Sequence, residues 1–126
     1  MGRAYFLLKD PHWAFLWWSI SEDIRKRLFG SLSLSRPGLS LRFHDITDIL
    51  FDGGNSHSFL EVAASETSDH WYIRLPVAGR VYCAEVGFHD QLGRYLPAVR
   101  SNALWLPPEA PQIARPEPLW SRLDLG

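Results

Sequence analysis

The sequence predicts a mainly β fold: an antiparallel β-sandwich of about seven strands with one short α-helix inserted over residues 22–29. Three observations predict it. Short apolar runs recur at roughly 8–12-residue spacing, with turn residues between them. Several runs alternate apolar and polar residues with the period of two that a half-buried strand requires. Only one stretch carries a helical pattern.

Tyr5-Phe6-Leu7-Leu8 is the first apolar run, and Lys9-Asp10-Pro11-His12 breaks it as a turn. Trp13 to Ile20 is aromatic-rich and unbroken, which predicts a strand buried on both faces. Ser21 is placed to cap a helix, with Glu22 and Asp23 in its positive first turn and Arg25, Lys26 and Arg27 nearer its negative end. Ile24 and Leu28 share one face, and Gly30 is placed for a left-handed stop. The Ser-rich stretch Ser31 to Gly38 is a loop closed by Pro37-Gly38. In Leu39-Ser40-Leu41-Arg42-Phe43-His44 the apolar members face in, leaving Ser40, Arg42 and His44 outward.

Asp52-Gly53-Gly54-Asn55 is a strong turn signal before a short strand, Phe59 to Ala63. Trp71, Ile73 and Leu75 alternate with His70, Tyr72 and Arg74. Val81 to Phe88 puts Tyr82, Ala84, Val86 and Phe88 on one face, with Cys83 and Glu85 on the other. Asp90 to Gly93 makes a hairpin, Tyr95 to Val99 returns, and Ser101-Asn102 breaks the line before Ala103 to Leu106. Residues 1–106 therefore form the sandwich domain. Residues 107–126 form a tail with Pro107, Pro108, Pro111, Pro116 and Pro118, extended and polyproline-like, carrying Trp120 and no core pattern.

Composition bounds the function. The 126 residues carry 13 basic and 14 acidic side chains for a net charge of -1, which argues against electrostatically driven nucleic-acid binding. With 46% hydrophobic and 13% aromatic residues, the chain has the apolar surface to build a core. No stretch approaches the ~20 apolar residues of a membrane helix, and no signal-peptide pattern opens the sequence. Cys83 is the single cysteine, so no internal disulfide forms and a reducing cytoplasm is the expected location.

Leu75-Pro76-Val77-Ala78-Gly79-Arg80-Val81-Tyr82 resembles a tyrosine corner, in which a Tyr hydroxyl bonds to backbone a few residues upstream. With Tyr82-x-Ala84-x-Val86, Gly93 and Ser101-Asn102 after it, this stretch resembles the last hairpin of fibronectin type III domains. That resemblance implies an immunoglobulin/fibronectin-III-like sandwich and a binding role. A second resemblance, to the bacterial domain of unknown function 4912, runs from Tyr5 to Pro108. It rests on Lys9-Asp10-Pro11-x-Trp13, Trp18-x-Ile20, Leu41-Arg42-x-x-Asp45-Ile46-Thr47 and Trp71-Tyr72-Ile73. Gly79-Arg80-x-Tyr82-x-x-Glu85-Val86-Gly87, Gly93-Arg94-Tyr95 and Arg100-Ser101-Asn102 complete it. The Pro-rich tail lies outside this second resemblance.

Chemistry-bearing residues are sparse. No Gly-x-Ser-x-Gly elbow is present, and Cys83 reads as an inert strand cysteine because nothing in the sequence lowers its pKa. His44-x-x-x-Asp48 and His89-Asp90 lack the converging spacing of a zinc site. Asp45, Asp48, Asp52 and Asn55 form a loose oxygen cluster whose spacing departs from a calcium loop. No catalytic residue, metal or cofactor is therefore assigned, and the expectation is a non-enzyme. Glu85, a mid-strand carboxylate, is placed to pair with Arg42, Arg74 or Arg100 or to anchor a ligand.

Six Trp in 126 residues is the compositional outlier. Trp18 and Trp71 fall in phase with core positions and are read as structural, as is Tyr82. Trp13, Phe15 and Trp17 share the other face of their strand. Either the helix over 22–29 covers that face, or the tail carrying Trp120 folds back over it, or it is an exposed aromatic patch that marks a binding site. The last reading makes the chain a non-catalytic module that docks a protein or self-associates through Trp13, Phe15 and Trp17. A polysaccharide of the glucan type, held between these rings and the flanking Arg42, Arg74, Glu85 and His70, is the alternative ligand. Neither membrane nor nucleic acid is an expected partner.

Overall fold

Seven strands form two antiparallel sheets in the computed structural model, which describes residues 2–9, 12–31, 38–90 and 92–108. In chain order they are β1 (Arg3–Leu8), β2 (Trp13–Ser19), helix α1 (Glu22–Ser31), β3 (Gly38–Asp45), β4 (Ser58–Ala64), β5 (His70–Arg74), β6 (Val81–His89) and β7 (Tyr95–Trp105). One sheet has the order β1-β2-β5 and the other β4-β3-β6-β7. The fold is an immunoglobulin/fibronectin-III-like sandwich with the helix inserted after the second strand. The interior of the Ser-rich loop, the Asp10-Pro11 break, Gln91 of the last hairpin and the tail from residue 109, with Trp120, lie outside the described residues.

The core lies between the sheets. Ala4, Phe6, Ala14, Leu16 and Trp18 come from the three-stranded sheet, and Leu39, Leu41, Phe43, Tyr82, Ala84, Val86 and Phe88 from the other. Phe6 and Phe43 meet across the interface with ring centroids 5.7 Å apart. Trp18 is buried, and Trp71 packs half-buried against this cluster. Each fully buried Leu, Val or Phe contributes roughly 1.5–3 kcal/mol, which carries the fold without a disulfide.

Four sequence expectations are corrected. The second strand is buried on one face only; on the other its side chains are half-buried or exposed, because nothing there belongs to the core. Gly30 lies inside the helix, which runs on to Ser31; the left-handed glycines are Gly53, Gly79 and Gly93. At the other end Ser21 does cap, its hydroxyl accepting from Ile24 N–H at 3.3 Å. The helix does not lie flat over the Trp13–Trp17 face. Leu28 and Phe29 turn into the core, with Phe29 edge-on to Phe88 at 5.0 Å.

The fourth correction concerns Ser101-Asn102, which does not interrupt the last strand. β7 continues to Trp105 through a β-bulge opposite Cys83–Glu85, and the Ser101 hydroxyl accepts from Ala84 N–H at 2.9 Å, filling the gap the bulge leaves. Asn102 then clamps β7 to β1. Its Oδ1 accepts from Phe6 N–H and its Nδ2 donates to Phe6 C=O, both at 2.9 Å.

The tyrosine corner is present. The Tyr82 hydroxyl donates to Val77 C=O at 2.9 Å and accepts from Val77 N–H at 3.2 Å. Thr47 ties the end of β3 to the start of β6, its hydroxyl donating to Asp45 and accepting from Val81 N–H.

Candidate functional site

The outward residues of β1, β2 and β5 fall into register rows. Tyr5 stands beside Trp17, and Trp17 beside His70. Leu7 stands beside Phe15, and Phe15 beside Tyr72. Trp13 pairs with Arg74. The strand period of two puts all of these on one side of the sheet, opposite the core residues Phe6, Ala14 and Leu16. Tyr5, Leu7, Trp13 and Tyr72 are 48%, 55%, 40% and 51% exposed. Large apolar side chains this exposed and this contiguous are uncommon on a monomer surface.

The rings are ordered against each other. Tyr5 and Trp17 lie 5.6 Å apart with an interplanar angle of 22°. That separation is too short for two rings side by side in one plane, so their faces are turned towards each other in an offset stack. Phe15 sits 4.9 Å from Tyr72 and 5.9 Å from His70. Arg3, Lys9 and Arg74 are exposed around this apolar centre, as is Asp69, whose carboxylate meets His70 Nδ1 at 2.9 Å. Beside Trp17 a cavity of about 210 Å³ opens between the end of β2, the start of α1 and the β4–β5 turn, lined in part by Trp18, Arg25 and Asp69.

The opposite outer face, on the four-stranded sheet, buries a charged group at its centre, with Phe59 and Trp105 exposed towards its edges. Glu85 on β6 is 2% exposed. Its Oε1 accepts from the Tyr95 hydroxyl at 3.1 Å and meets His44 Nε2 at 3.4 Å; its Oε2 accepts from Arg100 Nη2 at 3.4 Å. Burial alone pushes the Glu85 carboxyl up, but His44, the Tyr95 hydroxyl and Arg100 together outweigh it and hold the group below the usual carboxylate range. Burial and the neighbouring Glu85 charge push the Tyr95 phenol far up, so it stays protonated and donates.

Gly87 makes room for that ring: a Cβ there would come 2.5 Å from Leu96 C=O and 2.7 Å from the Tyr95 ring. Arg42 lies over Tyr95 at 3.7 Å and Phe59 at 4.6 Å, with Glu61 3.4 Å from its Nε. Phe51, from the β3–β4 loop, covers His44 at 4.7 Å and takes Arg100 over its own face at 4.6 Å. Together with Glu61 and His89 on Ser40, this is why Ser40 and His44 are buried although they point away from the core.

The candidate residues therefore divide between two surfaces. Trp13, Phe15, Trp17 and Arg74 share the outer face of the three-stranded sheet, with His70 beside them. Arg42 and Glu85 lie on the outer face of the other sheet, across the core, so the joint strip expected from the sequence does not form. Glu85 pairs with Arg100; Arg42 stands in register with it but pairs with Glu61. Tyr5, Leu7 and Tyr72 complete the aromatic face and were not singled out in the sequence. Tyr5 and Leu7 belong to a continuous apolar run, which conceals that alternate members point to opposite sides.

The remaining reactive groups are engaged elsewhere. Cys83 is buried, which pushes its thiol up, away from a reactive thiolate. Asp45 accepts from Thr47 and from Arg80 Nε at 2.9 Å, whereas Asp52 and Asn55 satisfy backbone groups of their own turn.

No curated protein matches the chain. The family profile of the Domain of unknown function (DUF4912) matches residues 2–114, which takes in all seven strands and the first Pro-rich residues beyond Leu106 as well, and the chain belongs to that family.

Proposed function

We propose that this chain is a non-catalytic interaction module that docks a protein partner on the outer face of its three-stranded sheet. The observation that carries the reading is the contiguous half-exposed surface of Tyr5, Leu7, Trp13, Phe15, Trp17 and Tyr72. Protein interfaces combine an aromatic, charge-depleted centre with a polar rim. Here the rim is Arg3, Lys9, Arg74 and Asp69.

The alternative ligand is a polysaccharide, and the ring geometry supports it less than a protein partner. A sugar ring packs its C–H face on an open aromatic face. Tyr5 and Trp17 turn one face each to the other, which leaves less open ring face for a sugar, and aliphatic Leu7 beside them suits a protein side chain. Docking also explains the ring stacks, which pre-order rotamers that would otherwise have to be fixed on binding.

The test compares wild type with Tyr5→Ser/Trp17→Ser as immobilised bait, alongside light scattering for self-association. Retention of a partner, or of a second copy, by wild type and its loss in the folded double variant supports the reading. Equal retention by both overturns it. Tryptophan quenching on titration with glucans, lost in Trp17→Ala, replaces it with the polysaccharide reading.

A further inference from the structure

The two sheets differ in width, β4-β3-β6-β7 against β1-β2-β5, and the difference leaves a gap. On β3 the inward residues Leu39, Leu41 and Phe43 are buried. Their register partners on β4 are Ala64, Val62 and Leu60, which therefore share the inward face. Yet Leu60 is 40% exposed, and Val62 and Ala64 are half-buried. Trp71 and Ile73 on β5 point inward too, in register with buried Leu16 and Ala14, and they are likewise half-buried. The inward faces of β4 and β5 are open, whereas those of β2, β3 and β6 are closed.

The backbone of β5 borders this gap. Trp18 N–H donates to Asp69 C=O at 3.0 Å and Leu75 N–H to His12 C=O at 2.9 Å. Bonding alternates along an antiparallel strand, so Asp69, Trp71, Ile73 and Leu75 turn their backbone groups to β2. His70, Tyr72 and Arg74 turn theirs the other way, to an edge that no described strand occupies. The opposite edge of the same sheet is closed, because Asn102 takes both backbone groups of Phe6. β5 has none of the devices that blunt an edge: no proline, no lysine, no inward charge and no bulge against β2.

We propose that this gap receives an extended segment of a partner protein, added as a strand beside β5 and over β4. A strand is what the backbone row at His70, Tyr72 and Arg74 can bond. Its side chains alternate, so one set lies on Leu60, Val62, Trp71 and Ile73 and is apolar, while the other stands beside Tyr72 and Arg74 in solvent. Arg74 is exposed and has no acidic partner among the described residues, whereas His70 already meets Asp69 at 2.9 Å. The segment therefore carries alternating apolar residues and an acidic side chain at its Arg74 end. A second copy fits worse, since β4 underlies the place its sheet would take. The gap lies at the sheet edge and does not depend on what the outer aromatic face docks.

The test selects peptides from a random-sequence display library on the immobilised full chain and locates the bound peptide by amide hydrogen exchange. The selected peptides are expected to share the alternating pattern with its acidic residue and to slow the His70, Tyr72 and Arg74 amides. Tyr72→Pro should weaken their binding roughly tenfold or more, because proline removes the central outward donor. That N–H takes no part in the ladder to β2, so the variant keeps its fold by circular dichroism, and Tyr72→Phe binds as wild type. Should Tyr72→Pro not fold, Arg74→Glu carries the test: weaker binding of the acidic peptides supports the proposal and unchanged binding overturns it. Recovery of no common pattern, exchange slowed at other strands, or equal binding to folded Tyr72→Pro also overturns it. Self-association lost in Tyr72→Pro gives the edge to a second copy instead. Peptide binding lost in Tyr5→Ser/Trp17→Ser but kept in Tyr72→Pro overturns the added strand and leaves the docking face standing.

Discussion

At the scale of single residues, the four-stranded sheet hides one charge at its centre. Glu85 is stable there because Tyr95, His44 and Arg100 all turn donors towards it. Removing its charge leaves Arg100 facing a neutral partner, so Glu85→Gln is expected to cost about 1–3 kcal/mol at pH 7 in urea denaturation. The folded-state carboxyl sits below its ordinary value. Its stabilisation is therefore present at neutral pH and is lost as pH falls through the folded-state value. Glu85→Gln should flatten the acid limb of a stability–pH profile, and an unchanged acid limb would show that other carboxylates govern it. Tyr82→Phe removes both bonds to Val77 and should cost about 1–2 kcal/mol with no change of fold by circular dichroism. The corner was legible because Tyr82 follows Gly79 at the start of a strand. The Glu85 cage was only half legible: its mid-strand position announced a paired carboxylate, but which of three arginines it meets depends on register, and register is a property of the sheet.

At the scale of elements, alternation exposed most of the strands, since a half-buried strand writes its two faces into the sequence. It failed where a residue does two things. Ser101 and Asn102 are poor strand formers and look like a break, yet each replaces a missing backbone partner: Ser101 at the bulge, Asn102 at the edge of β1. Polar side chains that stand in for the ladder cannot be told from loop residues by pattern alone. Asn102→Ala should therefore cost about 1–3 kcal/mol and speed amide exchange at Phe6 first, while exchange in β3 and β6 follows only global unfolding. Similarly, an added methyl at Gly87 meets Leu96 C=O at 2.5 Å, a backbone atom that cannot swing aside. Gly87→Ala should lower the thermal midpoint by several degrees and free the Tyr95 ring, seen as an increase in tyrosine exposure by absorbance.

At the scale of the whole molecule, the two outer faces are built differently. One buries the Glu85 carboxylate, with Phe51 of the β3–β4 loop over His44; the other presents a contiguous set of half-exposed rings. The sequence pointed to Trp13, Phe15 and Trp17 because a strand with two apolar faces needs a cover for the second. It grouped Arg42 and Glu85 with them because strand alternation distinguishes inward from outward but not one outer face from the other. That assignment follows from which strands share a sheet, a long-range property. Adjacent tryptophans on β2 now separate the roles. Trp18 is buried in the core and Trp17 stands on the outer face. The most direct measurement is partner retention by Trp17→Ser at a denaturant concentration where it is fully folded. We predict a stability cost of about 1–2 kcal/mol, against roughly 3–5 kcal/mol for Trp18→Ser, together with loss of retention. Retention equal to wild type in folded Trp17→Ser would contradict the assignment of this face to binding.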